Sequence, residues 1–193
     1  VYKSTSPEHG TVALKVLHAY FSREAELLRR YLQEMERVKK LRHPNIVPVR
    51  GVEQDDGLTA LVMDFIPWST LKARVSRTLP LSEVLAIVRQ VASALDYAHS
   101  QGMVHRHIRP SNVFYNQETG QAMVSDFGTA ILLEGGHALI RSTVHTATSS
   151  YASPEQIQGF PPVPTNDVYA LGALAYELLT GNLPFNALNP YTV

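Results

Sequence analysis

His105-Arg106-His107-Ile108-Arg109-Pro110-Ser111-Asn112, followed further on by Asp126-Phe127-Gly128, is the stretch on which the reading of this chain turns. Its neighbours are regular. Before it, Ser82 can cap a helix whose apolar positions Val84, Leu85, Ile87, Val88, Val91, Leu95 and Ala98 recur at helical spacing and end at Gly102. After it, Val113–Tyr115 and Ala122–Val124 flank Glu118-Thr119-Gly120 and read as a small hairpin. A long polar stretch then runs to Tyr151, and loops of that length are usually functional or mobile. The charged octet therefore lies in the connection between a helix and a hairpin.

Towards the N-terminus the pattern changes to strands. Thr11-Val12-Ala13-Leu14-Lys15-Val16 is short and β-rich and follows a Pro/Gly/Ser-containing loop over residues 4–10. Over residues 22–41, Leu27, Leu28, Tyr31, Leu32, Met35, Val38 and Leu41 recur at helical spacing with charges between them, which predicts an amphipathic helix. His43-Pro44-Asn45 stops it, because proline disfavours the helical conformation in the residue before it. Residues 47–53 and 58–64 flank Asp56-Gly57, a hairpin signal. A polar linker at 67–69 precedes a mostly helical remainder, in which Thr165 can cap a helix through Val168, Leu171, Leu174 and Leu178 closed by Gly181 and Pro184. The expected class is α+β, with the change of character near Ile66.

Composition narrows the alternatives. The 193 residues suffice for one domain or two small lobes. Lys plus Arg (17) equals Asp plus Glu (17), so no global field argues for nucleic acid or an anionic membrane as partner. Hydrophobic residues at 45% are ordinary for a globular domain, and no run is long enough to span a membrane. Cysteine is absent, which removes disulfides, thiolate metal sites and cysteine nucleophiles.

In order along the chain, Val12-Ala13-Leu14-Lys15, Glu34, the octet 105–112, Asp126-Phe127-Gly128 and Ala152-Ser153-Pro154-Glu155 resemble the motif set of the protein kinases. His43-Pro44-Asn45-Ile46-Val47 and the helix from Asp167 to Pro184 fit the same pattern, so the resemblance spans essentially the whole chain. Tyr97-Ala98-His99-Ser100 gives it the look of the bacterial, Hanks-type serine/threonine kinases. The resemblance implies a two-lobed fold truncated at both ends. A β-rich lobe over 1–65 would lack its glycine-rich loop, and a helical lobe over 66–193 would lack its last helices, with ATP in the cleft.

The same resemblance implies roles. Lys15 would bind the α and β phosphates of ATP, held by an ion pair with Glu34, which lies nine positions before His43 as in the family. Asp126 would bind Mg²⁺ bridging the phosphates, and Asn112 would supply a second metal contact. Met63 stands at the gatekeeper position, while Asp64 and Ile66 offer backbone groups to adenine. Asp167 resembles the buried aspartate that holds the catalytic-loop backbone. Phosphoryl transfer asks the protein mainly for positioning and charge neutralisation, which is why these residue types recur.

Two positions depart from the family. His107 stands where an aspartate accepts or orients the proton of the substrate hydroxyl, and losing that assistance typically costs on the order of 10² to 10⁴ in rate. Beside a metal-bound triphosphate the imidazole is expected to be held protonated, and a protonated base cannot accept. Arg109 replaces a lysine that touches the γ-phosphate, keeping charge but changing a point ammonium to a planar fork. The expectation is a serine/threonine kinase-like domain binding Mg-ATP with impaired transfer. The alternative is an inactive pseudokinase acting as a scaffold or interaction module. Protein substrates or partners are implied, and nucleic acid is not. The setting is cytoplasmic, compatible with the cytoplasmic part of a longer membrane-anchored protein. Ser142, Thr143, Thr146, Thr148, Ser149 and Ser150 offer hydroxyls for regulatory phosphorylation.

Overall fold

The computed structural model describes residues 1–18, 21, 24–134 and 149–185. Strands β1 (Tyr2–Ser6), β2 (Gly10–Val16), β3 (Val49–Asp55) and β4 (Leu58–Asp64) form one antiparallel sheet in the order β1-β2-β4-β3. Residues 4–6, expected as loop, extend the edge strand. They are Ser-Thr-Ser and offer no apolar alternation to mark them. The β3–β4 turn falls at Asp56-Gly57, both at positive φ (45° and 74°), the conformation that Asp-Gly pairs supply in tight hairpins. In this register Ala13 lies opposite Met63 and Lys15 opposite Leu61, so the lysine stands on a central strand.

Helix α1 (Ala25–Val38) packs on the sheet through Leu27, Tyr31, Met35 and Val38, the apolar stripe expected from sequence. The connection after it is fixed to the other half of the molecule. Asn45 Nδ2 donates to Gln90 Oε1 at 2.9 Å and to Ala122 O at 2.8 Å, and Val47 N donates to Val124 O at 2.9 Å. His43 stacks on Tyr97 with ring centroids 5.3 Å apart.

That other half is helical. Helix α2 (Leu81–Ser100) is followed by the hairpin β5 (Val113–Tyr115) and β6 (Ala122–Val124) at the expected bounds. Then come α3 (Ala130–Glu134), α4 (Pro154–Ile157) and α5 (Pro164–Thr180). Helices α2 and α5 pack together over Ile87, Val91, Ala94, Ala98, Leu174 and Leu178, all fully buried. Each large aliphatic side chain among them contributes about 1.5–3 kcal/mol on burial.

Two expected caps are corrected. Helix α2 begins at Leu81 after Pro80, so Ser82 lies inside the first turn and makes no cap hydrogen bond. Helix α5 begins at Pro164, a residue suited to the first helical position because its missing N–H would be unpaired there. Thr165 is therefore also inside the helix, and Asn166 Oδ1 accepts from Val163 N at 2.8 Å. Gly181 closes α5 at φ 72°, as expected.

Candidate functional site

The octet is held from below by one carboxylate. Asp167, fully buried in the first turn of α5, accepts from His105 N at 2.8 Å and Arg106 N at 2.7 Å, and pairs with His99 Nε2 at 2.8 Å. A carboxylate buried without such partners would be costly, so its three contacts fix the loop's starting direction. Arg106 takes φ 65°, a conformation rare for a side-chain-bearing residue, which the two flanking bonds over-determine.

His105 extends the frame. It is fully buried, its Nε2 bonds Ser125 O at 2.8 Å, its Nδ1 accepts from His107 N at 3.1 Å, and its ring meets Phe127 edge-on at 4.5 Å. Burial lowers the His105 pKa, so the ring is a neutral strut. Ser125 N in turn donates to Asn112 O at 2.8 Å. The octet and the residues leading into Asp126 are thereby joined through backbone groups. Asp126 itself sits at φ 68°, a second strained position at the same site.

Lys15 Nζ reaches across from the sheet and donates to Asp126 Oδ1 at 2.7 Å, although the two residues lie 111 positions apart. Asn112 is buried, and its Nδ2 donates to His107 O at 2.8 Å, leaving Oδ1 with a long 3.2 Å contact from Ser111 Oγ. Asp126 Oδ2 and Asn112 Oδ1 are hard oxygen donors on adjacent backbone. Among the described residues there is no group of three or more His, Cys, Asp or Glu side chains able to cage a metal. Such a sparse donor set suits Mg²⁺, which binds through one or two protein oxygens plus substrate phosphates and keeps the rest of its shell as water.

The expected Lys15–Glu34 pair is not formed. Glu34 Oε2 instead accepts from Arg37 Nη1 at 2.9 Å, one turn along α1, while Lys15 uses Asp126. Packing nevertheless puts Glu34 at the site. A Cβ on Gly128 would lie 2.5 Å from Met35 Cε, 2.9 Å from Val38 Cγ2 and 3.0 Å from Glu34 Cγ, so α1 presses directly on the glycine after Asp126-Phe127. The sequence could not reveal the exchange of partners, because Arg37 is one of several exposed charges on α1.

His107 sits in surroundings that disfavour its charged form when no nucleotide is bound. Its pKa is lowered to about 4, first by burial and then by the neighbouring His105 and the positive charge of Arg109, with Asp126 opposing. The imidazole is thus neutral at neutral pH in the ligand-free protein, not protonated. Its Nδ1 lies 3.4 Å from Asn112 Nδ2, and its Nε2 is buried with no hydrogen-bond partner. In the tautomer that accepts from Asn112 at Nδ1, Nε2 carries the hydrogen. Arg109 leans over the Tyr151 ring at 6.0 Å, and its Nε is also buried without a partner. Tyr151 OH in turn donates to Glu177 Oε2.

The residues expected on the adenine side are placed as follows. Met63 is buried in β4, and Asp64 N donates to Pro48 O at 2.9 Å. The Asp64 carboxylate is clamped by Arg50 in a two-pronged pair at 2.5 and 2.7 Å, so its side chain is committed. Ile66 lies two residues past the strand end, half-buried. Ser142, Thr143, Thr146 and Thr148 lie outside the described residues. Sequence reading missed Arg37 and helix α3, whose five residues are too few to show a period.

Known proteins resemble this chain in sequence and in fold. The protein kinase domain family matches residues 1–192. The serine/threonine-protein kinase PkaA of Streptomyces coelicolor is 39% identical over 179 residues, covering 91% of this chain and 33% of PkaA. PrkC of Bacillus subtilis is 36% identical over 91% of this chain and 27% of its own length. The chain thus spans about a third or less of these two relatives. The crystal structure of the Mycobacterium tuberculosis PknI kinase domain superposes with a TM-score of 0.78 at 32% identity, covering 96% of this chain and 70% of that one.

Proposed function

The chain belongs to the protein kinase domain family, and from that premise we propose that it is a serine/threonine kinase domain that holds Mg-ATP but transfers phosphate slowly or not at all. The observation that carries this reading is the 2.7 Å contact between Lys15 and Asp126 beside buried Asn112, three polar groups from distant parts of the chain gathered where the family handles phosphates. Lys15 is the donor for the α and β phosphates. Asp126 and Asn112 would hold Mg²⁺, which neutralises charge on the phosphate oxygens. Glu34 stands on α1 within reach of the same place, and Met63, Asp64 and Ile66 line the side where adenine would sit. Residues 1–65 and 66–193 act as the two lobes, and the setting is cytoplasmic.

His107 supports the impairment. Positioning and charge neutralisation do most of the work in phosphoryl transfer, and those parts survive. What is replaced is the carboxylate that receives the hydroxyl proton. A buried imidazole is no substitute for that carboxylate, and the missing assistance is worth on the order of 10² to 10⁴ in rate. Arg109 keeps a positive charge near the γ-phosphate, but its guanidinium rests on Tyr151.

The alternative, a pseudokinase that acts by binding proteins, draws on the same His107 and differs only in whether any transfer remains. A module that ignores nucleotide altogether is separated by a thermal-shift titration of the full-length protein. A ligand at about 100 times its dissociation constant stabilises the folded state by roughly 2.7 kcal/mol. Wild type should show that shift with Mg-ATP, and Lys15→Met and Asp126→Asn should each lose most of it. An unchanged melting temperature in wild type would reject nucleotide binding.

A further inference from the structure

Among the described residues, three buried side-chain polar atoms have no hydrogen-bond partner: Tyr31 OH, His107 Nε2 and Arg109 Nε. Tyr31 belongs to the packed stripe of α1. The other two stand two residues apart in the octet, at the two positions where the chain departs from the kinase motif set. Buried polar groups in native proteins are almost always bonded, so two unpaired nitrogens in one loop call for a partner.

Both atoms are donors. Asn112 Nδ2 gives one hydrogen to His107 O at 2.8 Å and faces His107 Nδ1 at 3.4 Å, which leaves Nδ1 as acceptor and puts the ring hydrogen on Nε2. An arginine Nε can only donate. Two donors with nothing to accept from them fit an anion.

The charges agree. The octet holds Arg106 and Arg109 but no carboxylate. Asp126 is paired with Lys15 at 2.7 Å, and Glu177 accepts from Tyr151 OH. Arg109 has no ion-pair partner among the described residues, and its guanidinium lies over the Tyr151 ring at 6.0 Å, a platform that Glu177 anchors. A planar guanidinium suits two-pronged recognition of a phosphate better than the flexible point charge of a lysine. Both residues are half-buried as a whole, so a small side-chain rotation brings either nitrogen to a ligand.

We propose that His107 and Arg109 together bind the phosphate of a phosphorylated serine or threonine on a partner protein. An aspartate at 107 would repel that dianion, whereas a neutral ring offers it a donor. The phosphates of a nucleotide are served by Lys15, Asp126 and Asn112 in the reading above, and position 107 is where the family receives a protein hydroxyl, so the phosphate that fits here is one carried by a protein. The inference deepens the protein-binding alternative and rests on position 107 meeting a protein side chain; it does not require nucleotide.

The test is fluorescence anisotropy of the full-length protein with labelled degenerate peptides carrying one fixed phosphoserine or phosphothreonine, beside the same peptides unphosphorylated, in buffer without nucleotide or metal. Wild type should bind the phosphopeptides about tenfold tighter or more, the scale of one charge-assisted hydrogen bond. His107→Asp and Arg109→Gln should each remove the preference, and Arg109→Lys, which keeps the charge and the packing stem, should retain only part of it. Thermal melting of each variant verifies its fold. No preference in wild type, a preference that survives both His107→Asp and Arg109→Gln, or displacement of the phosphopeptide by equimolar inorganic phosphate overturns the proposal. A thermal shift with Mg-ATP but no phosphopeptide preference sinks this inference alone, and the reverse pattern sinks the nucleotide reading alone.

Discussion

The catalytic-loop octet and helix α1 present the same kind of residues to the same site, yet only one of them is locked. In the octet, buried Asp167, His105 and Asn112 each satisfy backbone groups, and direction follows from bonds that cannot be surrendered to water. On α1, packing against Gly128 fixes where Glu34 sits, but the partner of its carboxylate is chosen among cations with access to solvent. The loop keeps its frame even with an imidazole at position 107, whereas the ion pairs around Lys15 are rearranged without any change in the residues that make them. Burial fixes geometry, and exposed charge leaves partners open.

The sharpest way to break the contrast is to remove the lock. Asp167→Ala should destabilise the protein by about 3 kcal/mol or more, because His105 N, Arg106 N and His99 lose a fully buried acceptor together. Urea unfolding would measure it, and a loss under about 1 kcal/mol would mean that the loop is held by something else.

A second consequence lies in pH. His107 is lowered to about 4 in the folded chain, against about 6.5 when unfolded. The unfolded state therefore binds the extra proton first, so stability is full above pH about 6.5 and declines as the pH falls toward about 4. The contribution is on the order of 3 kcal/mol, and buried His105, shifted the same way, adds to it. In buffer without nucleotide or metal, His107→Gln should flatten the decline relative to wild type. An identical pH profile for the two proteins would show the ring to be solvated.

Gly128 tests the packed side of the comparison. At φ 73° and pressed by Met35, Val38 and Glu34, it has room for no Cβ. Gly128→Ala should cost about 1–3 kcal/mol through strain and overpacking, read as a lower melting temperature. A neutral substitution would indicate that α1 moves aside easily.

Much of this was legible in the chain. The hairpin bounds at Val113–Tyr115 and Ala122–Val124, the stripe of α1 and the Asp56-Gly57 turn all follow from periodicity and turn chemistry acting locally. The octet and Asp126 were recognisable because the order of motifs is informative even when each is short. Three kinds of feature were not. Helix starts fell before Ser82 and Thr165 because a proline set each start, Pro80 as the residue before α2 and Pro164 as the first residue of α5. Helix α3 is too short to carry a period, and residues 4–6 at the end of strand β1 are too polar to show one. The pairing of Lys15 with Asp126 and of Glu34 with Arg37 depends on distances between elements, which a sequence does not contain.

The account rests most on the imidazole at position 107 being what limits phosphate transfer. The measurement that addresses it is transfer of labelled phosphate from ATP by the full-length protein, wild type against His107→Asp. The octet's frame should accept the aspartate unchanged, and the rate should rise on the order of 10² to 10⁴. Equal rates, with both proteins folded and both binding Mg-ATP, would contradict the claim.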